Sequence, residues 1–386
     1  MSPPNAAPVV PPVRFILLAP TSVVGGITTW TRFLLGAYDR RRLEPLHIDS
    51  SKKYEEIGKE RNLRGTLLGV LHALGILGRI VWLVGRRRPR LLYTTCSGFW
   101  SFFTRDLAYV VLARIVGVKI ILHLVAGNIE SYFGHSALTR WLARRVMGGA
   151  TRLVVVNRAM EQRARQHYAA KTLYLPNMIG EEIFSHVRPS PRAPGPGLRV
   201  LHMAFQSPMK GSYDILDAFR LLRGRHPGLV CDLVGRAAPE HEAVIRQRIA
   251  EFGLQDRVHL HPEASGEVKW QFFNEADIFL FPSHTEGFPM VILEAMCFGL
   301  PILATPVGNI AEMIGIDTAE PAGLLLRGVN PVSAEELAEQ LTRLVEDPAL
   351  RARLAASGPR RVRENYVAGI VVPHIEDLIV QTATGR

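Results

Sequence analysis

Short apolar runs alternate along the chain with longer segments in which apolar residues recur every three or four positions. In the first half these runs are Phe15–Ala19, Pro45–Ile48, Leu91–Thr95, Ile120–Val125, Leu153–Val156 and Thr172–Leu175. Runs of this length, bounded by turn residues, are typical of buried strands, and the periodic segments between them are typical of helices. Strands and helices in alternation predict a mostly parallel, doubly wound sheet.

A second series of the same kind follows a stretch rich in proline and glycine. Its predicted strands are Leu198–Ala204, Val230–Val234, Val258–Leu260, Ile278–Phe281 and Ile302–Ala304. Residues 185–197 are predicted to be a linker. The fold class is therefore predicted as α/β, with two Rossmann-like doubly wound domains facing a cleft. We expect these domains at 13–184 and 198–368. Residues 1–12 are expected to be a disordered tail without signal-peptide features. Residues 369–386 are expected to form a helix that packs back on the first domain.

Composition supports a globular, two-domain chain. The 386 residues are 47% hydrophobic and 21% charged. The three cysteines, Cys96, Cys231 and Cys297, lie in or beside apolar segments and have no metal-ligand spacing, so we expect buried thiols in a reducing compartment. A cytoplasmic protein is the expectation, with a peripheral position at the inner face of a membrane as the alternative.

Charge is distributed unevenly between the two halves. Residues 1–184 carry 26 Lys and Arg against 11 Asp and Glu, whereas the remainder carries 20 against 24. A basic first half favours an anionic partner, such as a phosphorylated acceptor, a membrane surface or nucleic acid, over the alternative of a merely solubilising surface. The apolar run Leu67–Val84 is predicted to be a packed amphipathic helix, because Arg79 near the centre of a membrane span costs about 2.5–3.5 kcal/mol. The alternative is a helix that lies on a membrane, helped by the arginines at 86–88.

The segment from Glu286 to Met296 carries the most informative pattern. It follows a predicted strand and opens a predicted helix, at the edge of the sheet where α/β proteins bind ligands. Pro289 suits the first helical turn, Gly287 permits close backbone approach, and the free N–H groups after Pro289, at Met290 and Val291, form an anion site at the positive end of the helix dipole.

Two glutamates flank this anion site. Glu286 stands in the loop, and Glu294 lies on a strongly apolar helix where a carboxylate is costly unless it is hydrogen-bonded. Ribose hydroxyls could supply those bonds. The alternative is that Glu286 is a solvated loop residue and Glu294 pairs with a neighbouring arginine.

This segment resembles the donor domain of retaining glycosyltransferases of the GT-B fold, family 4 (group 1). That family has two glutamates eight positions apart around Gly-Phe-Pro, and the chain has Glu286, Gly287-Phe288-Pro289 and Glu294, followed by Thr305-Pro306 at the end of a strand. The resemblance implies a nucleotide-diphosphate-sugar donor bound by the second domain, with Glu294 on the ribose and Glu286 beside the transferred sugar. It covers nearly the whole chain and is weaker in the first half.

A second donor-site segment follows the strand at 198–204. Lys210-Gly211 matches the family's phosphate-binding Lys-Gly, and a lysine there stabilises charge that develops on the departing diphosphate. The family's arginine is replaced by Phe205, so either another cation, with Arg236 as the candidate, takes its place or the donor binds more weakly.

The first half contributes weaker candidates. The resemblance implies that Gly25 and Gly26 lie near the donor phosphates and that His123 lies beside the transferred sugar, although a histidine in an apolar strand is more often a core residue. Three further residues are acceptor-site candidates: Asn128, Glu130 and Arg158.

Together with the resemblance, these patterns predict a metal-independent glycosyltransferase that acts in glycan, glycolipid or polysaccharide biosynthesis. Retention at the transferred carbon is implied by the resemblance alone. No Asp-x-Asp motif that would hold a cation under a diphosphate occurs in the chain, so no metal or cofactor is expected. The expected partners are the donor, a glycan or lipid-linked acceptor and an anionic membrane surface, without nucleic acid. Two alternatives stay open: a GT-B-fold epimerase or phosphorylase, and a non-catalytic module that binds anionic surfaces.

Overall fold

The computed structural model describes residues 11–22, 26–51, 63–96, 100–125, 136–168, 171–188 and 197–385. It consists of two compact units, Met1–Leu175 with Ala368–Arg386, and Pro176–Val367. Several predicted features lie outside the described residues: most of the tail, most of the linker, Gly25, Asn128 and Glu130.

The first unit contains a six-stranded parallel sheet. Its strands are β1 (Val13–Ala19), β2 (Leu43–Asp49), β3 (Leu91–Cys96), β4 (Lys119–Leu124), β5 (Arg152–Val155) and β6 (Thr172–Tyr174). Its helices are α1 (Gly26–Ala37), α2 (Leu63–Arg87), α3 (Trp100–Ile115), α4 (Ala137–Gly149) and α5 (Arg158–Tyr168). The strand order is β2-β1-β3-β4-β5-β6. Each strand predicted in this half is present within two residues at either end.

The C-terminal helix α13 (Ala368–Thr384) completes the first unit. Its buried residues include Val371, Ile375 and Ile379, which explains why it packs on the sheet. The Glu376 carboxylate accepts a hydrogen bond from the Asp39 N–H at 2.6 Å and pairs with Arg42 at 2.8 Å. The predicted return of this helix to the first domain is confirmed.

The second unit contains a second six-stranded parallel sheet. Its strands are β7 (Arg199–Met203), β8 (Val230–Val234), β9 (Val258–His261), β10 (Ile278–Phe281), β11 (Ile302–Ala304) and β12 (Gly323–Leu325). Its helices are α6 (Ser212–Leu222), α7 (Pro239–Glu251), α8 (Gly266–Glu275), α9 (Met290–Cys297), α10 (Ile310–Ile314), α11 (Ala334–Glu346) and α12 (Pro348–Asn365), with 3₁₀ turns at Glu181–His186 and Pro208–Lys210.

Strand order in this sheet is β12-β11-β10-β7-β8-β9, the arrangement of a Rossmann fold. The chain builds the sheet outward from β7 in one direction up to β9, and then outward from β10 in the other direction. Strands β7 and β10 are neighbours and pair in parallel. Ligands bind outside the carboxyl ends of the strands at such a switch point. The prediction of two doubly wound Rossmann-like domains is therefore confirmed, although β12 and helices α10 to α12 were not predicted.

The units divide at a different place from the predicted linker. Pro176 begins the second unit, whereas the sequence suggested that the first domain runs to residue 184. Two observations explain the assignment of this segment. Met178 and Ile179 are buried, and the Ile179 N–H donates to the Tyr366 carbonyl at 2.8 Å, which ties the segment to the end of α12.

Candidate active site

The two loops at the switch point of the second sheet bring Lys210 and Glu286 together. Lys210 ends the 3₁₀ turn after β7, and Glu286 lies in the loop after β10. The Lys210 Nζ atom is 2.5 Å from Glu286 Oε1, and the Ser283 hydroxyl donates to the same oxygen at 2.9 Å. With side chains 30% and 12% exposed, the pair is within reach of a ligand yet partly shielded from water.

Backbone contacts hold these two loops in register. Gly211 adopts a φ of +80°, and a Cβ atom there would lie 2.3 Å from the Pro282 carbonyl oxygen. The His284 N–H donates to the Met209 carbonyl at 3.0 Å. Only glycine fits where the loops approach this closely, so the Lys-Gly pair has a steric reason as well as an electrostatic one.

A buried glutamine fixes the loop that leads to Lys210. The Gln206 side chain donates to the carbonyls of Ala204 at 2.9 Å and Val234 at 3.1 Å, and it accepts from the Ser212 hydroxyl at 2.9 Å. Sequence reasoning missed this residue. The signal in the sequence was a polar residue soon after an apolar strand. The hydrogen-bond partners of Gln206 are at residues 204, 234 and 212, and no local pattern shows that these residues meet.

Helix α9 begins at Met290, and Pro289 is its N-cap residue with an extended ψ of 107°. The expectation that Pro289 occupies the first helical turn was therefore off by one position. Met290 and Val291 occupy the first turn, where an α-helix offers no backbone acceptor for its N–H groups. The positive end of the helix dipole thus lies in the loop that carries Glu286.

The approach to α9 is confined by the loop after β11. Gly308 has a φ of +60°, and a Cβ atom there would lie 2.5 Å from the Gly287 carbonyl oxygen. The Asn309 N–H donates to that same oxygen at 3.0 Å. Gly287, Phe288 and Pro289 are buried, so this segment shapes the site mainly through its backbone.

Glu294 lies one helical turn after Met290, on the same face of α9. Its Oε1 atom is 2.6 Å from Lys269 Nζ of α8, so its partner is a lysine rather than the arginine considered from the sequence. Burial raises the pKa of this carboxyl group, and the Lys269 charge opposes that effect. Within the described part of the chain, Oε2 has no hydrogen-bond partner, which leaves it to accept bonds from a ligand.

Sequence reasoning missed Lys269, since it lies 25 residues before Glu294 and on a different helix. The ammonium group also lies over the Trp270 ring, 5.2 Å from its centroid. Two positive groups, Lys210 and Lys269, therefore balance the two glutamates of the motif.

Phe205 and Arg236 occupy the neighbouring loops. Phe205 is 51% exposed, so its ring presents an apolar surface where the resembling family has a cation. Arg236 follows β8 and pairs with Glu263 at 2.8 Å. The Gln206 N–H donates to the Arg236 carbonyl at 2.7 Å, so the backbone of Arg236 is adjacent to the Phe205 loop.

In the first unit, His123 is fully buried in β4. The Tyr93 hydroxyl lies 3.0 Å from His123 Nδ1, and the Trp30 ring packs edge-on with its centroid 4.9 Å from that of the imidazole. Burial lowers the pKa of His123 to about 3, so the ring is neutral at pH 7. Its Nε2 atom has no hydrogen-bond partner among the described residues.

The other first-unit candidates lie at helix starts. Gly26 is the first residue of α1 and Arg158 the first of α5. The Arg158 guanidinium pairs with Glu161 at 2.8 Å and lies 4.0 Å from the centroid of the Tyr174 ring. Asn157 accepts from the Met160 N–H at 2.7 Å and so caps this helix.

The cysteines are all buried and free, as predicted. Among the described residues, no group of three or more His, Cys, Asp and Glu side chains is placed to hold a metal ion.

Comparison with known proteins finds a family match within the second unit. Residues 186–361 match the family described as Glycosyl transferases group 1. This segment contains Lys210, Glu286 and Glu294, the residues whose geometry is described above.

The second unit thus resembles a group 1 glycosyltransferase domain over most of its length.

The D-inositol 3-phosphate glycosyltransferase of Arthrobacter sp. (strain FB24) is 30% identical over 217 residues, which cover 54% of this chain and 50% of that protein. The chain thus spans about half the length of this relative, and less of other relatives.

Solved structures establish the fold of the chain as a whole. A glycosyltransferase from Rickettsia africae ESF-5 has a TM-score of 0.74 at 14% identity and covers 97% of this chain and 100% of its own. Anabaena HepE in complex with UDP-glucose has a TM-score of 0.70 at 19% identity. That match covers 97% of this chain and 100% of the HepE chain. The two sheets and their flanking helices therefore have the GT-B fold.

Proposed function

We propose that this protein is a retaining glycosyltransferase that moves a sugar from a nucleotide-diphosphate sugar to a hydroxyl acceptor. The observation that carries the proposal is the Lys210–Glu286 pair at the switch point of a unit that resembles a group 1 glycosyltransferase domain, beside the first turn of α9. Retention at the transferred carbon follows from resemblance to the family. HepE binds UDP-glucose at a similar fold, which supports a nucleotide sugar as the donor class.

In the proposed donor complex, Lys210 pairs with the diphosphate. In the structure, the anionic partner of Lys210 is the Glu286 carboxylate at 2.5 Å. A bound diphosphate replaces this partner with a more highly charged one, and Glu286 becomes free to accept hydrogen bonds from hydroxyls of the transferred sugar. The N–H groups of Met290 and Val291 add donors at the positive end of the α9 dipole. As the bond between sugar and phosphate breaks, these groups stabilise the charge that develops on the leaving diphosphate.

Glu294 is proposed to hold the ribose of the donor. Lys269 at 2.6 Å holds the carboxylate in position, and its charge opposes the rise in pKa that burial causes. The second oxygen, Oε2, then accepts hydrogen bonds from ribose hydroxyls, which repay part of the cost of burying the charge.

His123 is proposed to act beside the transferred sugar as a neutral hydrogen-bonding group. Its lowered pKa excludes the imidazolium as the resting form at pH 7. Its orphan Nε2 supports the proposal, because buried polar atoms are seldom left without a partner.

We further propose that transfer proceeds without a metal ion, since Lys210 and the α9 dipole supply positive charge at the diphosphate. The acceptor is proposed to be a glycan or lipid-linked molecule that meets the first unit at a cytoplasmic membrane face, in agreement with the basic character of that half.

The test is a screen of purified protein against nucleoside-diphosphate sugars, with release of the nucleoside diphosphate as the signal and EDTA present in a parallel series. We expect one nucleotide class to be turned over, with full activity in EDTA and with an unchanged anomeric configuration by NMR when product forms. Isomerised donor would identify an epimerase, and sugar phosphate release would identify a phosphorylase. Absence of binding to every nucleotide sugar would overturn the proposal and favour an adaptor.

A further inference from the structure

Helix α2 exposes apolar side chains to solvent along much of its length. Leu71, Leu74, Val81 and Trp82 are 54%, 56%, 48% and 60% exposed. The segment Gly69–Arg87 is long and apolar enough to cross a membrane, by length and composition alone. An exposed apolar strip of this size is unusual on a soluble surface and indicates an interaction site.

The exposed strip and the packed strip lie on opposite sides of the helix. At about 100° per residue, Leu74 and Val81 point within about 20° of each other, while Leu83 points roughly 160° and Ile76 roughly 140° away from Val81. Ile76, Ile80 and Leu83 are buried in the core of the first unit with residues of the sheet. Only the inner side of α2 packs in the core of the first unit. Packing within the unit therefore does not explain why the outer side is apolar.

The neighbouring helices α3 and α4 extend this surface. They belong to the same core cluster as α2, on the same side of the sheet. Ile115 at the end of α3 is 76% exposed, and Trp141 on α4 is 48% exposed. We refer to Leu71, Leu74, Val81, Trp82, Ile115 and Trp141 together as the α2–α4 face.

This apolar surface lies in a strongly basic setting. Helices α2, α3 and α4 contain nine arginines and a single acidic residue, Asp106, which is fully buried. Arg79 and Arg86 are exposed on α2, and Arg144 and Arg145 are exposed on α4. Amphipathic helices with arginine beside Trp and Leu bind the surface of anionic membranes.

We propose that the α2–α4 face docks on an anionic lipid bilayer, with α2 lying in the headgroup region. The packing of Ile76, Ile80 and Leu83 on the sheet means that α2 cannot cross the bilayer without unfolding the first unit. A second copy of the chain is disfavoured as the occupant, since two such basic surfaces repel each other. The inference concerns where the protein acts, and it stands whether or not the proposed transfer reaction is correct.

The experiment is flotation of the full-length protein with vesicles of phosphatidylcholine alone or with phosphatidylglycerol added. We expect binding only with the anionic lipid and a loss of binding as salt is raised, because screening weakens the arginine contribution. Replacing Arg79, Arg86, Arg144 and Arg145 with Gln should lower the partition coefficient by roughly 600-fold at low salt, at about fivefold per arginine.

A second variant tests the apolar contribution. Leu74→Ser with Trp82→Ser should abolish binding while leaving the melting temperature unchanged, because both side chains are outside the core. The matched control is Leu221→Ser with Val268→Ser, which removes side chains that are 44% and 58% exposed in the second unit. This control should bind vesicles like the unchanged protein.

Trp82 also offers a direct probe of contact. Brominated lipids should quench a share of the tryptophan fluorescence that disappears in Trp82→Phe. Equal binding to phosphatidylcholine and to anionic vesicles, or no binding to either, would overturn the proposal. So would binding by the Leu74→Ser, Trp82→Ser variant that equals that of the control. Resistance to carbonate extraction would overturn it as well, because it would indicate a spanning helix. The proposal would also be overturned if the unchanged protein formed dimers without lipid and the Leu74→Ser, Trp82→Ser variant did not. The occupant of the α2–α4 face would then be a second copy of the chain.

Discussion

Replacing Lys210 with Met removes the positive charge at the switch point and keeps most of the side-chain volume. In the structure this charge pairs with Glu286 at 2.5 Å, and the two side chains are 30% and 12% exposed. The substitution therefore has two separate consequences, one for stability and one for the proposed reaction, and their sizes differ.

The stability cost should be small. Two unit charges about 4 Å apart attract by about 4 kcal/mol at an effective dielectric constant near 20. Lost hydration offsets most of that attraction, and solvent screens a lysine that is almost one third exposed, which leaves a net cost on the order of 1 kcal/mol. For a unit of this size, that corresponds to a fall in Tm of about 2–4 °C.

The effect on transfer should be larger. A preorganised group that stabilises charge only in the transition state is worth about 10²–10³ in rate, or roughly 2.7–4 kcal/mol. We therefore expect Lys210→Met to lower kcat/KM for donor turnover by at least a hundredfold. Turnover by the variant and by the unchanged protein would be measured at saturating and limiting donor, together with Tm.

Lys171→Met is the matched control, because Lys171 lies in the first unit, where it donates to the backbone carbonyls of Gly148 and Ala150 at 3.0 and 3.1 Å and lies 5.5 Å from the centroid of the Tyr168 ring. Its loss should lower Tm to a similar extent without a change in kcat/KM. The reasoning would be refuted if Lys210→Met kept kcat/KM within twofold of the unchanged protein, or if the control lost as much activity as Lys210→Met.

Three further perturbations follow from the structure. Gly308→Ala should weaken nucleotide binding and cost about 1–3 kcal/mol of stability, because the new Cβ would meet the Gly287 carbonyl oxygen at 2.5 Å. Calorimetry measures the binding and thermal melts measure the stability. Burial lowers the pKa of His123 from 6.5 to about 3, so the unfolded chain binds a proton that the folded chain does not between those pH values. The unfolding free energy should therefore rise as pH rises from about 3 to 6.5, and His123→Gln should reduce that slope by up to about 1.4 kcal/mol per pH unit in urea titrations. Phe205→Arg should tighten binding of a nucleoside diphosphate about tenfold, through a charged hydrogen bond to phosphate worth at least about 1.5 kcal/mol.

Each of these perturbations has its own control. Gly266→Ala places the same substitution at a φ of +55° with no atom within 4 Å of the new Cβ, so it separates backbone strain from the clash at Gly308. Equal losses in the two glycine variants would remove the steric argument. An unchanged pH slope in His123→Gln would mean that the ring is solvated in the folded state. Phe205→Lys should give a smaller gain than Phe205→Arg, and no gain with either would mean that this position does not face the phosphates.

Local patterns were sufficient for most of the fold. Every strand predicted in the second unit is present, because apolar runs such as Ile278–Phe281 are recognisable from their own residues. Strand β12 was missed since Gly323–Leu325 is too short to stand out. The order of the strands, which places β7 beside β10, depends on long-range pairing that no local pattern specifies.

The candidate site was partly predictable for the same reason. The two glutamates and Lys210 are marked by motifs, yet the partners that hold them come from distant elements. Lys269 reaches Glu294 from another helix, and Gln206 is satisfied by carbonyls of two strands. His123 illustrates a further limit, since the sequence allowed both a core and a ligand role and its burial with Tyr93 and Trp30 depends on the assembled sheet.

Calorimetric titration with nucleoside diphosphates measures whether the Lys210–Glu286 site binds the diphosphate of a nucleotide donor. We expect saturable binding of one nucleoside diphosphate to the full-length protein, much weaker binding of the matching monophosphate, and a loss of at least tenfold in affinity in Lys210→Met. Binding that is equal for the diphosphate and the monophosphate, or that is unchanged in Lys210→Met, would show that this site does not hold the diphosphate.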